Sequence, residues 1–132
     1  MNENTITVAG NVVSDVKSAV TTNGHCVSRF RMVSQQRRFD RRAERWVELE
    51  PTFFTVVCWR NLAGNVVSSV HKGDPVVVSG KLNVREWERD DRRGTAVEID
   101  ASVIGHNLVL GQSTFTKRTA GSAATAGESA VA

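Results

Sequence analysis

The sequence predicts an all-β domain: a five-stranded Greek-key barrel with one short helix between strands 3 and 4, extended hairpins and a disordered C-terminal tail. Three features of the chain lead there. Five stretches carry the β-branched, aromatic and alternating residues that suit a pleated sheet. A single helix signal, Asn61 to Gly73, falls between the third and fourth of them. From Gly111 onward the chain turns to Ser, Thr, Ala and Gly, which bury too little apolar surface to order themselves. With 132 residues, 40% of them hydrophobic, the chain can build one core but not two. Residues 1–110 are read as the folded domain and 111–132 as the tail, disordered from about Phe115.

The first strand is Ile6–Val13, where Ile6 and Val8 alternate and Gly10 marks a bulge or a close backbone approach. Ser14 to Gly24 is polar and ends in Thr21-Thr22-Asn23-Gly24, a hairpin turn signal. In the second strand, Cys26–Val33, Phe30 and Met32 point to one face while Arg29, Arg31 and Val33 point to the other. Gln35 to Glu50 has no apolar period and reads as a long arginine-rich hairpin extension carrying Phe39 and Trp46. The third strand runs from Pro51 to Trp59. Asn61 is then the expected helix N-cap, Leu62, Val66 and Val70 the buried stripe, and Lys72-Gly73 a cationic last turn with a left-handed stop. Asp74-Pro75 opens the fourth strand, Val76–Trp87, kinked at Gly80. Turn signals over Glu88–Gly94 precede the fifth, Thr95–Val103, in which Val97, Ile99, Ala101 and Val103 alternate with Glu98, Asp100 and Ser102. Gly105 ends the domain. This order of elements is that of an OB-type barrel, whose second and third strands and loops form a binding face.

The third strand holds more bulk than a small core can hide. Side chains alternate along a strand, so Phe53, Thr55, Val57 and Trp59 share one face and Phe54, Val56 and Cys58 the other. The core takes Phe54, Val56 and Cys58, which leaves Phe53 and Trp59 outward. For Trp59 the competing reading is an ordinary core tryptophan. Trp87 sits among Arg85, Glu86 and Glu88, poor surroundings for a buried indole, and Phe39 and Trp46 lie in the charged extension. Exposed rings beside arginines form a platform on which bases stack.

Net charge is only +3, but the cations are unevenly placed. Seven of the 17 Lys and Arg residues fall between positions 29 and 45: Arg29, Arg31, Arg37, Arg38, Arg41, Arg42 and Arg45. Only Asp40 and Glu44 oppose them there. Two readings stand, a phosphate-binding surface or a solvated charged hairpin.

Other chemistry finds little support. His25, His71 and His106 are scattered and no cysteine pair accompanies them, so no zinc site is expected, and His71 suits a helix C-terminal cap. Asp90 and Asp91 adjoin arginines in a turn, where a solvated loop competes with a magnesium-dependent nuclease site. The glycines have strand or turn explanations and form no phosphate loop. No catalytic residue, metal or cofactor is expected. Cys26 and Cys58 read as reduced thiols of a cytoplasmic, nucleoid-associated protein, with a disulfide as the alternative that spacing cannot test. No apolar run is long enough for a bilayer span, and Met1–Thr5 lacks a secretory start.

One pattern is more specific than these. Ile6-Thr7-Val8-Ala9-Gly10-Asn11, Phe53 through Trp59, Asn61-Leu62-Ala63, Asn65-Val66, Lys72 through Leu82 and Arg85-Glu86-Trp87 occur at the spacings of the bacterial single-stranded DNA-binding proteins, which the chain resembles over roughly residues 3–108. Phe53-Phe54-Thr55-Val56, Gly73 through Val78 and Ile104-Gly105-His106 are similar to the second, shorter-tailed type of streptomycetes and their relatives. The resemblance implies an OB-fold homotetramer, a dimer of dimers, that wraps single-stranded DNA without sequence preference in replication, recombination or repair. It implies stacking by Phe53, Trp59 and Trp87. A fourth family aromatic falls at or beside Arg38, where the ring has either moved to Phe39 or been lost. A family phosphate-contacting lysine matches Lys72, and another corresponds to the uncharged Asn61.

The expected DNA contacts are therefore stacking by Phe53, Trp59, Trp87, Phe39 and Trp46, and phosphate pairing by Arg29, Arg31, Arg37, Arg38, Arg60, Lys72 and Arg85. The chain finishes Gly127-Glu128-Ser129-Ala130-Val131-Ala132 and lacks the family's acidic, phenylalanine-ended tip, so recruitment of other enzymes through that tip is not expected. The rival readings are an OB-fold RNA binder, and a module whose aromatic face is a subunit interface.

Overall fold

The computed structural model describes residues 4–118, which form β1 (Thr5–Val12), β2 (Lys17–Val20), β3 (Cys26–Ser34), β4 (Arg37–Asp40), β5 (Arg45–Glu48), β6 (Thr52–Trp59), α1 (Arg60–Ser69), β7 (Pro75–Arg89) and β8 (Arg92–His106). Strands β1-β7-β8-β6-β3 lie in that order, and β1 pairs with β3 at Asn11–Val33 and Val12–Met32 to close a ring of five. Within the ring only β6 and β8 run parallel. The expected five-stranded OB-type barrel is the fold observed. β2 adds to the outside of β3, and β4 and β5 form a separate two-stranded ribbon.

Alternation fills the barrel as the sequence pattern implies. Val8, Val12, Phe30, Met32, Phe54, Val56, Val78 and Ile99 point inward, and Ala63 and Val66 of α1, with Val70 just after it, pack on the same cluster. Cys58 also lies in this cluster, where burial pushes its thiol up to about 11 against the opposing pull of a hydrogen bond with Ser28. Cys26 and Cys58 are both free thiols, so no disulfide joins them within the chain.

Two glycines are set by space. A Cβ on Gly10 would fall onto the Val33 carbonyl, where β1 crosses β3. A Cβ on Gly80 would strike the Asp100 carbonyl, at a bulge where Ser102 is the extra residue between Ser79–Val103 and Gly80–Ala101. The close approach at Gly10 and the kink at Gly80 are thus both present.

The structure departs from expectation at four places. Lys17–Val20, read as part of a polar connection, is strand β2, recruited by pairing to β3 rather than by burial, since all four residues are exposed. The helix starts at Arg60, with Trp59 as its extended cap and no side-chain cap bond, so Asn61 lies in the first turn. β6 leaves no spare residue before the helix, and Arg60 makes the change of direction at φ +59°. The helix ends at Ser69 because Val70 turns extended and dives into the core, 5% exposed. Lys72, Gly73 and His71 therefore belong to the following turn instead of capping the helix, and the Gly73 N–H donates to the Val12 carbonyl at 2.8 Å. The fifth strand runs on to His106, beyond Gly105, because its pairing with β7 continues to Val76–His106.

Asp74 ties this end of the barrel together. Its Oδ2 accepts the His71 backbone N–H at 2.9 Å and lies 3.2 Å from His106 Nε2. Partial burial raises its pKa, but these hydrogen bonds and the two imidazoles outweigh that and hold the carboxyl below its ordinary 3.8. A depressed folded-state value means that the stabilisation is complete above the unfolded pKa and is lost as the pH falls through the folded one. Asp74→Asn is expected to lower the unfolding midpoint at neutral pH, and its gap from the parent should close below about pH 4. Thermal melts across that range check this; a gap that ignores pH would remove the ionised carboxylate from the account.

After β8, residues 107–118 form neither helix nor strand. The Asn107 N–H donates to the Pro75 carbonyl at 2.9 Å, and Ser113 Oγ lies 2.6 Å from His106 Nδ1. Leu108, Val109, Leu110 and Phe115 are exposed. Most of the tail expected to be disordered, with the final Gly127–Ala132, lies outside the described residues. No helix among the described residues is long and apolar enough to cross a membrane.

Candidate nucleic-acid interface

Strands β3, β6, β8 and β7 lie side by side and share an outer face whose contents follow from register. Along the β3–β6 seam, Val33 stands beside Phe53, Arg31 beside Thr55, Arg29 beside Val57, and Val27 beside Trp59. On the other flank Thr55 adjoins Glu98 and Val57 adjoins Asp100. Next come Asn83 opposite Glu98, Arg85 opposite Ala96 and Trp87 opposite Gly94. The alternation of β6 is as the sequence implied: Phe54, Val56 and Cys58 are buried, while Phe53 and Trp59 are 47% and 40% exposed. Trp59 is therefore not an ordinary core tryptophan. Val57 departs from its outward neighbours and is buried between Arg29 and Asp100.

Each exposed ring has a distinct setting. The Arg31 guanidinium lies 5.6 Å from the centroid of Phe53, a cation–π arrangement that sets a positive charge over the ring. Trp59 stands six residues further along β6, about 20 Å at the rise of a strand, and Arg60 beside it is exposed. Trp87 lies near the end of the β7–β8 hairpin, which turns through Asp90 and Asp91 with φ of +51° and +66°, the signs a two-residue type I′ turn requires. Its indole covers Gly94, where a Cβ would collide with the ring. Gly94 thus has a role that a turn glycine's reading missed: the empty side chain seats Trp87. Arg85, on the same face, is engaged by the Glu98 carboxylate.

The arginine-rich extension is the ribbon β4–β5. Phe39 and Trp46 face each other edge-on, with centroids 5.6 Å apart and planes at 72°. Alternation sets Arg37 and Phe39 with Trp46 and Glu48 on one face, and Arg38 and Asp40 with Val47 and Arg45 on the other. A shift of one residue changes the face. Phe39 therefore does not occupy the side on which position 38 stands, and its ring already has a partner in Trp46.

Lys72 is exposed but belongs to the turn between α1 and β7, not to the β3–β6–β8–β7 face. Two lysines that sequence reasoning passed over do join this face. Lys17 pairs with Arg29 across β2–β3, beside a groove of about 400 Å³ that Arg29, Arg31, Val27 and Thr55 also line. Lys81 stands opposite Asp100. Lys17 was hidden because β2 has no apolar pattern, and a single lysine in a polar stretch carries no signal of its own.

Known proteins share this architecture and sequence. The family model described as "Single-strand binding protein family" matches residues 3–107. The chain is 42% identical over 115 residues to single-stranded DNA-binding protein 2 of Tropheryma whipplei (strain Twist), covering 87% of this chain and 76% of that one. It is 42% identical over 120 residues to single-stranded DNA-binding protein 1 of Streptomyces coelicolor, covering 91% and 76%. Among solved structures, the small single-stranded DNA-binding protein from Streptomyces coelicolor superposes with a TM-score of 0.76 at 41% identity, over 84% of this chain and all of that one. With the same barrel and a family match across nearly all the described residues, the chain belongs to the single-strand binding protein family.

Proposed function

We propose that the protein binds and coats single-stranded DNA without sequence preference, by stacking bases on exposed rings and pairing phosphates with arginine and lysine. The observation that carries this is one continuous sheet face on which Phe53, Trp59 and Trp87 are each about half exposed, with Arg29 and Arg31 among them. Every base offers a π-face, so such stacking is tolerant of sequence, at about 1–3 kcal/mol per base. Phe39 and Trp46 extend the stacking surface onto the ribbon, and Arg37, Arg38, Arg60, Lys72 and Arg85 add phosphate contacts around it. The activity is binding alone, with no catalytic step. The protein works as a homotetramer, a dimer of dimers whose subunits cover one another's free strand edges, and serves replication, recombination or repair.

Tryptophan fluorescence titrated with oligo-dT at two salt concentrations tests the reading. All three tryptophans are exposed, so stacking should quench the signal. Affinity should fall with salt at a log–log slope of about −0.7 per phosphate contacted. Competition by oligo-U of equal length separates DNA from RNA binding. No quench, or a preference for oligo-U, would overturn the proposal.

A further inference from the structure

Two carboxylates occupy a face whose proposed partner is a polyanion. Glu98 and Asp100 project from β8 beside Thr55 and Val57, in the middle of the strands that carry Phe53, Trp59 and Trp87. Glu98 is the better fixed: its side chain is 20% exposed and its Oε2 accepts from Arg85 Nη2. Arg85 itself is 69% exposed and lies two residues before Trp87 on the same side of the same strand. A guanidinium in that position would meet the phosphate next to a base stacked on Trp87, yet in the free protein it already has an anion.

We infer that Glu98 is an internal competitor for DNA phosphate: it holds Arg85 in the free protein and gives it up, at a cost, when single-stranded DNA occupies the face. The inference rests on the proposed DNA binding and adds an affinity-setting residue to it. An exposed ion pair contributes little to stability. A carboxylate in this place therefore matters more for what it denies the ligand than for what it adds to the fold. Its neighbour across the β7–β8 pair is Asn83, which is uncharged, and Lys81, two residues before Asn83 on β7, stands opposite Asp100. Arg85 is thus the one cation with which Glu98 pairs among the described residues. Removing the Glu98 charge frees a phosphate contact that the parent makes only by breaking a pair. Because Gln is nearly isosteric with Glu, that charge can be removed without removing the side chain.

The test compares the parent, Glu98→Gln, Arg85→Gln and the double variant, titrated with oligo-dT across a range of salt. The expected result is that Glu98→Gln binds roughly three- to tenfold tighter than the parent at low salt, the scale of one charge-assisted contact. Its salt slope should stay that of the parent, because both proteins end in the same phosphate contact and differ only in the cost of making it. In the Arg85→Gln background the same Glu98→Gln change should have little effect. Equal tightening in both backgrounds would reduce Glu98 to general repulsion of DNA and overturn the inference. So would an E98Q protein that binds no more tightly than the parent while melting at the same temperature. If E98Q melts lower and binds more weakly, the pair is a brace for the hairpin and the inference fails on that ground. A parent that does not bind oligo-dT overturns the proposed function itself, and this inference with it, so the two failures are distinguishable.

Discussion

Trp59→Ala is expected to weaken binding to oligo-dT by about 5- to 150-fold, the loss of one stacked base at about 1–3 kcal/mol. The fold should survive it. Trp59 is 40% exposed, and although it is the cap residue of α1 it makes no side-chain cap bond, so truncation leaves the helix start as it was. What is lost inside the protein is part of the cover over Val27, its cross-strand neighbour, at a cost of about 1–2 kcal/mol. The salt dependence separates this change from a charge change. Deleting a ring removes no phosphate contact and should leave the slope alone, whereas Arg31→Ala should shift it by about 0.7. Trp59→Phe, which keeps a π-face, should recover much of the loss. Fluorescence cannot follow this variant cleanly, so anisotropy of labelled oligo-dT is the measurement. Parent-like affinity for Trp59→Ala would show that bases do not stack on the Trp59 end of the face. If the aromatic face is instead a subunit interface, the same substitution would change the oligomeric state in sedimentation rather than the affinity.

The parts of the interface that could be read from the sequence are those that depend on alternation. Once Phe54, Val56 and Cys58 are assigned to the core, period two leaves Phe53 and Trp59 outside, and the structure has them there. The same logic turned Arg29 and Arg31 outward on the neighbouring strand. What sequence could not supply is anything that depends on which residues face each other across strands. The Arg85–Glu98 pair, the seat of Trp87 on Gly94 and the pairing of Phe39 with Trp46 are all facts of register. Register emerges only when turn lengths are fixed. The placing of Phe39 on the opposite face of the ribbon from Arg38 belongs to the same class, since it follows from the pairing of Arg38 with Val47 and Phe39 with Trp46.

Fold class and strand order were similarly accessible, because five apolar strands and one interrupting helix admit few barrels. The misread details lie where local propensity is overruled. Asn61 is a good N-cap in isolation, but β6 extends to Trp59 and the helix must begin at once, which Arg60 accomplishes with a positive φ. Lys72-Gly73 resembles a helix stop, yet Val70 leaves the helix earlier because the core has a place for it. β2 has no sequence signal of its own beyond the turn that precedes β3, since its stability comes from hydrogen bonds to β3 and none from burial.

Gly10→Val is expected to be strongly destabilising, at about 3 kcal/mol or more. With a typical domain stable by only about 5–15 kcal/mol, that is a large share of the total. Backbone freedom is not the reason, since Gly10 is absent from the positive-φ residues. The reason is contact: any Cβ there meets the Val33 carbonyl and the Met32 side chain. Moving β3 away to make room would open the Asn11–Val33 and Val12–Met32 pairs, the two that close the ring. It would also pull Val12 and Met32, 1% and 0% exposed, out of their packing. A sheet whose ring is open at β1–β3 keeps β6 and β8 but loses the fixed spacing on which a multi-ring stacking surface depends, so affinity for oligo-dT should fall together with stability. Gly64→Ala is the informative contrast. Gly64 lies in α1 with nothing within 4 Å of an added Cβ, so alanine should raise stability by about 0.5–1 kcal/mol through helix propensity alone. Denaturant midpoints of the two variants against the parent check both signs. If Gly10→Val were tolerated while Gly64→Ala behaved as expected, closure of the barrel at β1–β3 would not be what holds the binding face in shape.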